Sequence, residues 1–169
     1  MNYTGILLDL SADSSIATIT LNRPDKRNAL NPTLISEITH VFQTLGSNDA
    51  VKAIVLAANG KVFCAGMDLK AFLRGEQIRI EGRGILGIAF TPPTKPLIAA
   101  VEGYALAGGC EAMLACDLAV AARNAQFGIP EVKRGLAAGA GGLLRLPRLI
   151  PPRIAMELAL TGDMIDAER

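Results

Sequence analysis

Histidine, cysteine and net charge are all scarce in this 169-residue sequence, and each shortage removes a class of function. The single histidine, His40, falls beside the apolar stripe of a predicted helix, where a partly exposed surface position is expected. Every serine lies in the first 47 residues and none stands in a G-x-S-x-G setting, so a Ser-His-Asp hydrolase would have to be built on His40. Three cysteines, Cys64, Cys110 and Cys116, form an odd set without a C-x-x-C pair. They argue against a disulfide framework or a zinc site and for a reducing cytoplasm. A net charge of +1 gives no strong pull towards nucleic acid or an anionic membrane. The cluster Lys133, Arg134, Arg145, Arg148 and Arg153 reads as a solvated face, with a phosphate-bearing ligand as the functional alternative. RNA binding through it is a weaker one, which salt-sensitive binding would reveal. Apolar runs such as Pro96 to Val101 are too short to span a bilayer, and the opening MNYTGILLDL has no basic segment or cleavage site of a signal peptide.

Half of the chain is apolar and a fifth is charged, as in a globular protein with a sizeable core. Ile16 to Leu21 reads as a strand, followed by a turn at Asn22-Arg23-Pro24-Asp25. Asn31 and Pro32 open a helix whose apolar face is Leu34, Ile35, Ile38, Val41, Phe42 and Leu45, and Gly46 closes it. Lys52 to Ala58, Leu97 to Val101 and Leu118 to Ala122 read as further strands. Short helices are expected from about Asp68, over Cys110 to Cys116 and over Ile154 to Leu160. Gly103 to Gly109 reads as a turn and Gly135 to Gly142 as a loop, while residues 74 to 90 give no clear pattern. Alternation of strand and helix predicts an α/β layered fold with much parallel pairing.

Two glycine patterns carry no nucleotide chemistry. Gly82 to Gly87 matches G-x-G-x-x-G, but a charged stretch precedes it and Thr91-Pro92-Pro93 cuts off any following helix. The glycines at 135 to 142 lack the Lys-Ser/Thr ending of a phosphate-binding loop.

Two other segments share a form that suits chemistry: Phe63-Cys64-Ala65-Gly66-Met67-Asp68-Leu69, and Gly103-Tyr104-Ala105-Leu106-Ala107-Gly108-Gly109-Cys110-Glu111. Each follows an apolar strand and places small residues where a helix begins. The first N–H groups of a helix have no internal partner and sit at its positive end. One such N–H from each segment could grip a single carbonyl oxygen, an oxyanion hole suited to a thioester that becomes an enolate. Losing one donor of this kind costs about 3 kcal/mol of transition-state stabilisation. Tight packing turns are the simpler reading of either segment alone. Glu111 lies in the first turn after Gly108-Gly109, and Glu131 follows Pro130. In one pocket, one carboxylate could polarise a water while the other supplied a proton, worth roughly 10²–10⁴-fold per group. A helix-terminal charge for Glu111 and an exposed loop position for Glu131 are the structural alternatives.

Three segments together, Cys64 to Leu69, Val101 to Glu111 and Ala125 to Glu131, resemble the crotonase (enoyl-CoA hydratase/isomerase) superfamily. Asn22-Arg23-Pro24, Lys26 to Leu30, the glycines at 139, 141 and 142, and Leu160-Thr161-Gly162 support it in the same order along the chain. The resemblance implies one core domain over residues 1–169, an α/β spiral of ββα units assembled as homotrimers or hexamers, in the cytoplasm. It implies an acyl-CoA substrate, no nucleic acid or membrane partner, and no metal or redox cofactor, coenzyme A entering with the substrate. Ala65 and Gly108 would supply the oxyanion amides, and Glu111 and Glu131 the acid–base pair of the hydratase branch. Lys26, Ala29, Gly66, Met67, Asp68, Leu69 and Pro130 would line the CoA-ester site, and Gly139 would help to hold the water.

The implied reaction is hydration of a 2-trans-enoyl-CoA, with Glu111 activating the water and Glu131 delivering the proton to Cα. Two departures stand out: Ala107 where glycine is common, and Ala138 where hydratases often carry proline. The chain also stops at Glu168-Arg169, inside a predicted helix and before the family's C-terminal helices. Two alternatives stay open. Enoyl-CoA isomerisation would need Glu131 but not Glu111, and a non-catalytic acyl-CoA-binding subunit would bind without turnover.

Overall fold

The computed structural model describes residues 3–78, 80–84 and 87–169. Its main sheet has five strands in the order β1-β2-β3-β4-β6. β1 (Ile6–Leu10) pairs antiparallel with β2 (Ile16–Leu21). β3 (Ala53–Ala58), β4 (Leu97–Val101) and β6 (Leu118–Ala121) follow in parallel. Parallel neighbours need crossover connections, and helix α1 (Pro32–Gly46) supplies the one from β2 to β3. Its cap is the expected one: Asn31 Oδ1 accepts from the Leu34 N–H at 3.0 Å, and Pro32 occupies the first turn. Leu34, Ile35, Ile38, Val41, Phe42 and Leu45 are buried and share the principal core with Ala17, Ile19 and Leu21 of β2 and Ile54 and Leu56 of β3.

A smaller sheet carries β5 (Tyr104–Leu106), β7 (Gln126–Gly128) and β8 (Ile165–Asp166). β5 and β7 are parallel, and β7 and β8 antiparallel. Further helices are α2 (Leu69–Leu73), α3 (Gly108–Leu114), which packs on β5, and α4 (Gly142–Leu149) and α5 (Pro152–Thr161), which pack on each other. Cys110, Leu114, Ile129, Leu146, Ala155 and Leu158 form a second core between α3, α4 and α5. Leu118 and Val120 of β6 are 63% and 65% exposed, and Leu144, Leu149, Met156 and Leu160 on α4 and α5 are also exposed. Among the described residues no helix is long and apolar enough to cross a membrane.

The structure departs from the sequence expectations or adds to them at several places. β1 forms, although Leu7 and Leu10 stay exposed and blur the alternation that would have revealed it. The turn expected after β2 forms, as a 3-10 turn over Pro24–Lys26. Part of the segment read as a turn from Gly103 is strand β5, because Tyr104 to Leu106 pair with β7. The loop ending at Gly142 leads into α4, where Pro147 interrupts the helical pattern in the sequence. The last residues are not helical: α5 ends at Thr161, Gly162 takes a left-handed conformation (φ 67°), and β8 then pairs with β7. Residues 85 and 86 of the Gly82–Gly87 pattern lie outside the described residues. The described part forms turns, not the strand–turn–helix a dinucleotide fingerprint requires.

Candidate active site

The two glycine turns interlock. Cys64 adds to the small sheet beside β5: its N–H donates to the Tyr104 carbonyl at 3.1 Å, and its carbonyl accepts from the Leu106 N–H at 2.9 Å. A Cβ on Gly109 would lie 2.3 Å from the Cys64 carbonyl oxygen, so only glycine lets the start of α3 approach this closely. A Cβ on Gly66 (φ 90°) would lie 2.6 Å from the Ala107 Cβ and 3.2 Å from the Gly108 nitrogen. Ala107 itself sits at φ 51°, ψ −128°, a conformation that glycine accepts and alanine resists.

A third segment braces these turns. Arg27 and Asn28 both adopt left-handed conformations (φ 53° and 52°). Asn28 is fully buried, with Nδ2 donating to the Asn59 carbonyl at 2.9 Å and the Val62 carbonyl at 2.7 Å. Its Oδ1 accepts from the Arg23 N–H at 2.8 Å. The segment then meets the first turn: the Leu30 N–H donates to Gly66 at 2.8 Å, and the Asp68 N–H donates to Leu30 at 2.9 Å. Asp68 Oδ1 caps α2 through the Lys70 and Ala71 N–H groups, and its Oδ2 lies 3.5 Å from Arg23. Burial pushes the Asp68 carboxyl up, but these amides and Arg23 outweigh it and hold the group below its ordinary value.

The hydrogen bonding changes one expected donor. The Ala65 N–H donates to the Arg27 carbonyl at 3.1 Å. Gly66 takes a φ of 90°, and among the described residues the next amide, of Met67, has no acceptor. Gly108 opens α3, so its N–H has no partner within the helix. Among the described residues, Met67 and Gly108 each present an amide without an acceptor on the adjoining turns, whereas that of Ala65 is engaged.

The carboxylates occupy unlike surroundings. Glu111, on α3, is only 2% exposed. Its Oε1 accepts from the Ala140 N–H at 2.7 Å and the Gly142 N–H at 2.9 Å. Burial raises its pKa, opposed by these two amides and by the positive charge of Arg145. Glu131 lies in a 3-10 turn over Pro130–Arg134. Its Oε2 is buried without a hydrogen-bond partner among the described residues. Burial raises its pKa as well; a bond from its own amide lowers it, and the charge of Glu111 raises it further. Glu111 thus accepts from two amides of another segment while Glu131 keeps one buried oxygen without a partner, an arrangement that favours charge on Glu111 and a proton on Glu131.

Both face one open cavity of about 1310 Å³. Lys26, Ala29, Ala65, Met67, Asp68, Leu69, Gly108, Glu111, Pro130, Glu131 and Gly139 all line it; of the residues expected from sequence, only Gly66 does not. Gly66 acts from behind, by shaping the turn. Arg23, Arg27, Lys70, Arg74, Lys133 and Arg134 add positive charge to the lining, and Leu69, Phe72, Ile78, Phe90, Leu106 and Leu136 add apolar surface. The amides of Ala140 and Gly142 had no counterpart in the sequence reading. Their only trace was the glycines themselves: a Cβ on Gly142 would meet Glu111 Cγ at 2.9 Å. His40 lies apart on α1, with Nδ1 2.9 Å from the Tyr3 hydroxyl.

Solved structures show the same architecture. An enoyl-CoA hydratase from Mycobacterium tuberculosis H37Rv superposes with a TM-score of 0.93 at 57% identity, over 98% of this chain and 64% of that one. A carnitinyl-CoA dehydratase from Mycobacterium avium 104 gives 0.92 at 42% identity, over 97% of this chain and 65% of that one. The architecture is the crotonase fold. The sequence profile of the enoyl-CoA hydratase/isomerase family matches residues 11–169, and the chain belongs to that family. A mevalonyl-coenzyme A hydratase from Aspergillus fumigatus is 41% identical over 91% of this chain, which spans 58% of that protein's length.

Proposed function

We propose that this chain carries the catalytic core of an enoyl-CoA hydratase acting on a 2-trans-enoyl-CoA. The observation behind the proposal is the asymmetry of the two carboxylates in one cavity: Glu111 holds two amide donors, and Glu131 has a buried, unpaired oxygen. The Met67 and Gly108 amides take the thioester oxygen and stabilise the charge it gains as the enolate forms. Ionised Glu111 accepts a proton from water as the water oxygen bonds to Cβ. Protonated Glu131 gives its proton to Cα. Transfer of the acquired proton from Glu111 to Glu131 then restores the starting state. Because the carboxylates share one water, they titrate as a pair. Acid, base and oxyanion donors all come from the chain, so the reaction as written calls on no metal or redox cofactor. The cations at Lys26 and Arg27 suit the phosphates of coenzyme A. Homotrimeric or hexameric assembly would cover the exposed apolar residues of β6, α4 and α5.

The test follows loss of the enoyl-thioester absorbance of crotonyl-CoA, using this chain and a version extended to its relatives' full length. Turnover that falls at least 100-fold in both Glu111→Gln and Glu131→Gln is expected, at roughly the lower bound for a lost acid or base. Loss in Glu131→Gln alone would favour double-bond isomerisation. CoA-ester binding without turnover in either length would sink the hydratase reading and leave a binding role.

A further inference from the structure

Arg145 stands out among the cations of the chain. It is partly buried on α4, and among the described residues no carboxylate lies within ion-pair distance. Its guanidinium instead reaches two backbone carbonyls from different parts of the fold. Nη1 donates to Ala140 at 3.2 Å and Nη2 donates to Ala89 at 2.5 Å. The Ala140 N–H is one of the two amides that hold Glu111 Oε1. A single residue therefore links the cation to the carboxylate, its carbonyl on one and its amide on the other.

The adjacent glycines complete the arrangement. A Cβ on Gly141 would lie 2.2 Å from Arg145 Nη1, and one on Gly142 would lie 3.0 Å from Glu111 Oε1. The Gly141–Gly142 pair is thus sandwiched between the guanidinium and the carboxylate. A buried carboxylate is costly unless its charge is compensated, and a cation without its own anion can act through the thin turn. A guanidinium fork suits two separated carbonyls better than a single ammonium point.

We propose that Arg145 is a positioning residue for the hydration step: from behind the Gly141–Gly142 turn it holds the Ala140 amide on Glu111 and keeps that carboxylate charged. The inference rests on the hydratase reading for its catalytic consequence, but not for the electrostatic one. Among the described residues, the titratable groups that act on or feel Glu111 are Arg145 from α4, Glu131 from the 3-10 turn, and Cys110 beside it on α3. Removing Arg145 takes away the cation of this group, so Glu111 should protonate at higher pH.

Two measurements test this. In the crotonyl-CoA assay, Arg145→Met should move the acidic limb of the kcat profile to higher pH. Turnover on that limb should fall by about tenfold and recover as the pH rises, with little change in KM. Arg145→Lys should restore part of the limb. Separately, ¹³C-carboxyl NMR of Glu111 in a Glu131→Gln background should show its titration displaced upward by Arg145→Met, whether or not the chain turns over crotonyl-CoA. Arg145→Gln, neutral but still a donor, gives the same comparison if the Met variant does not fold. A folded neutral variant in which Glu111 titrates as before would overturn the proposal, as would a uniform loss of kcat with an unmoved acidic limb. Absence of turnover in every form would count against the hydratase reading alone, because the NMR titration still decides the role of Arg145.

Discussion

Replacing Gly142 with alanine puts a methyl group where the Glu111 side chain lies. The new Cβ would be 2.9 Å from Cγ, 3.0 Å from Oε1 and 3.3 Å from Cδ, all inside the usual carbon contact distance of about 3.5–4 Å. Gly142 does not need a positive φ, so backbone strain is not the issue. It opens α4, where alanine is favoured over glycine by about 1 kcal/mol. The variant should therefore fold, and the clash should be relieved by moving the carboxylate. That movement weakens the bonds from Ala140 and Gly142, each a charge-assisted contact worth about 1.5–3 kcal/mol. A reacting group displaced by about 1 Å costs on the order of 100-fold in rate. Steady-state hydration of crotonyl-CoA should show kcat lowered by about 100-fold and KM within about twofold, with a melting temperature lowered by several degrees at roughly 2–4 °C per kcal/mol. A folded Gly142→Ala variant with unchanged kcat would refute the argument that this glycine exists to seat Glu111.

Three further outcomes follow from the same geometry. Burial lifts the Glu131 carboxyl above its ordinary value of 4.5, so the folded chain keeps a proton that the unfolded chain releases. Stability from this group is greatest below that value and falls as pH rises towards the folded one. Glu131→Gln cannot ionise, and should melt higher than the unsubstituted chain at about pH 7 but not at about pH 4. Asn28→Ala removes the fully buried side chain that pairs with one N–H and two carbonyls at partly buried positions. It should cost about 2–4 kcal/mol in urea denaturation. Ala107→Gly removes an unfavourable conformation at φ 51°, ψ −128° and should add about 1 kcal/mol of stability, read in the same denaturation experiment, with turnover retained.

Elements whose cause is local were legible in the sequence. Asn31-Pro32 and the apolar stripe from Leu34 to Leu45 specify α1 without help from the rest of the chain. The apolar runs of β3 and β4 are readable because a strand buried between layers must be apolar along its length, and β2 and β6 show through their β-branched and apolar residues although β6 itself is exposed. The glycine turns at Gly66 and Gly108-Gly109 announce helix starts, and Glu111 and Glu131 announce themselves as carboxylates beside such turns. Their gathering in one cavity came from the resemblance, not from spacing, and the structure places both there.

What remained hidden depends on contacts distant in sequence. A backbone amide carries no residue signature, so nothing local distinguishes Ala65 from Met67. The Arg27 carbonyl decides between them by taking the Ala65 N–H. Arg145 sits in a basic cluster that reads as a solvated face, yet tertiary packing sets it against Ala140 and Ala89. The charge states favoured for the two glutamates are likewise a matter of surroundings. Residue type supplies the carboxyl groups, while burial, two amides and one cation make their environments differ. By itself the sequence determined which elements form and which reactive groups are present, because propensity, capping and side-chain chemistry act locally. Only the tertiary structure decided which amides stay uncommitted and which carboxylate is solvated, because desolvation and hydrogen-bond partners exist only once distant segments meet.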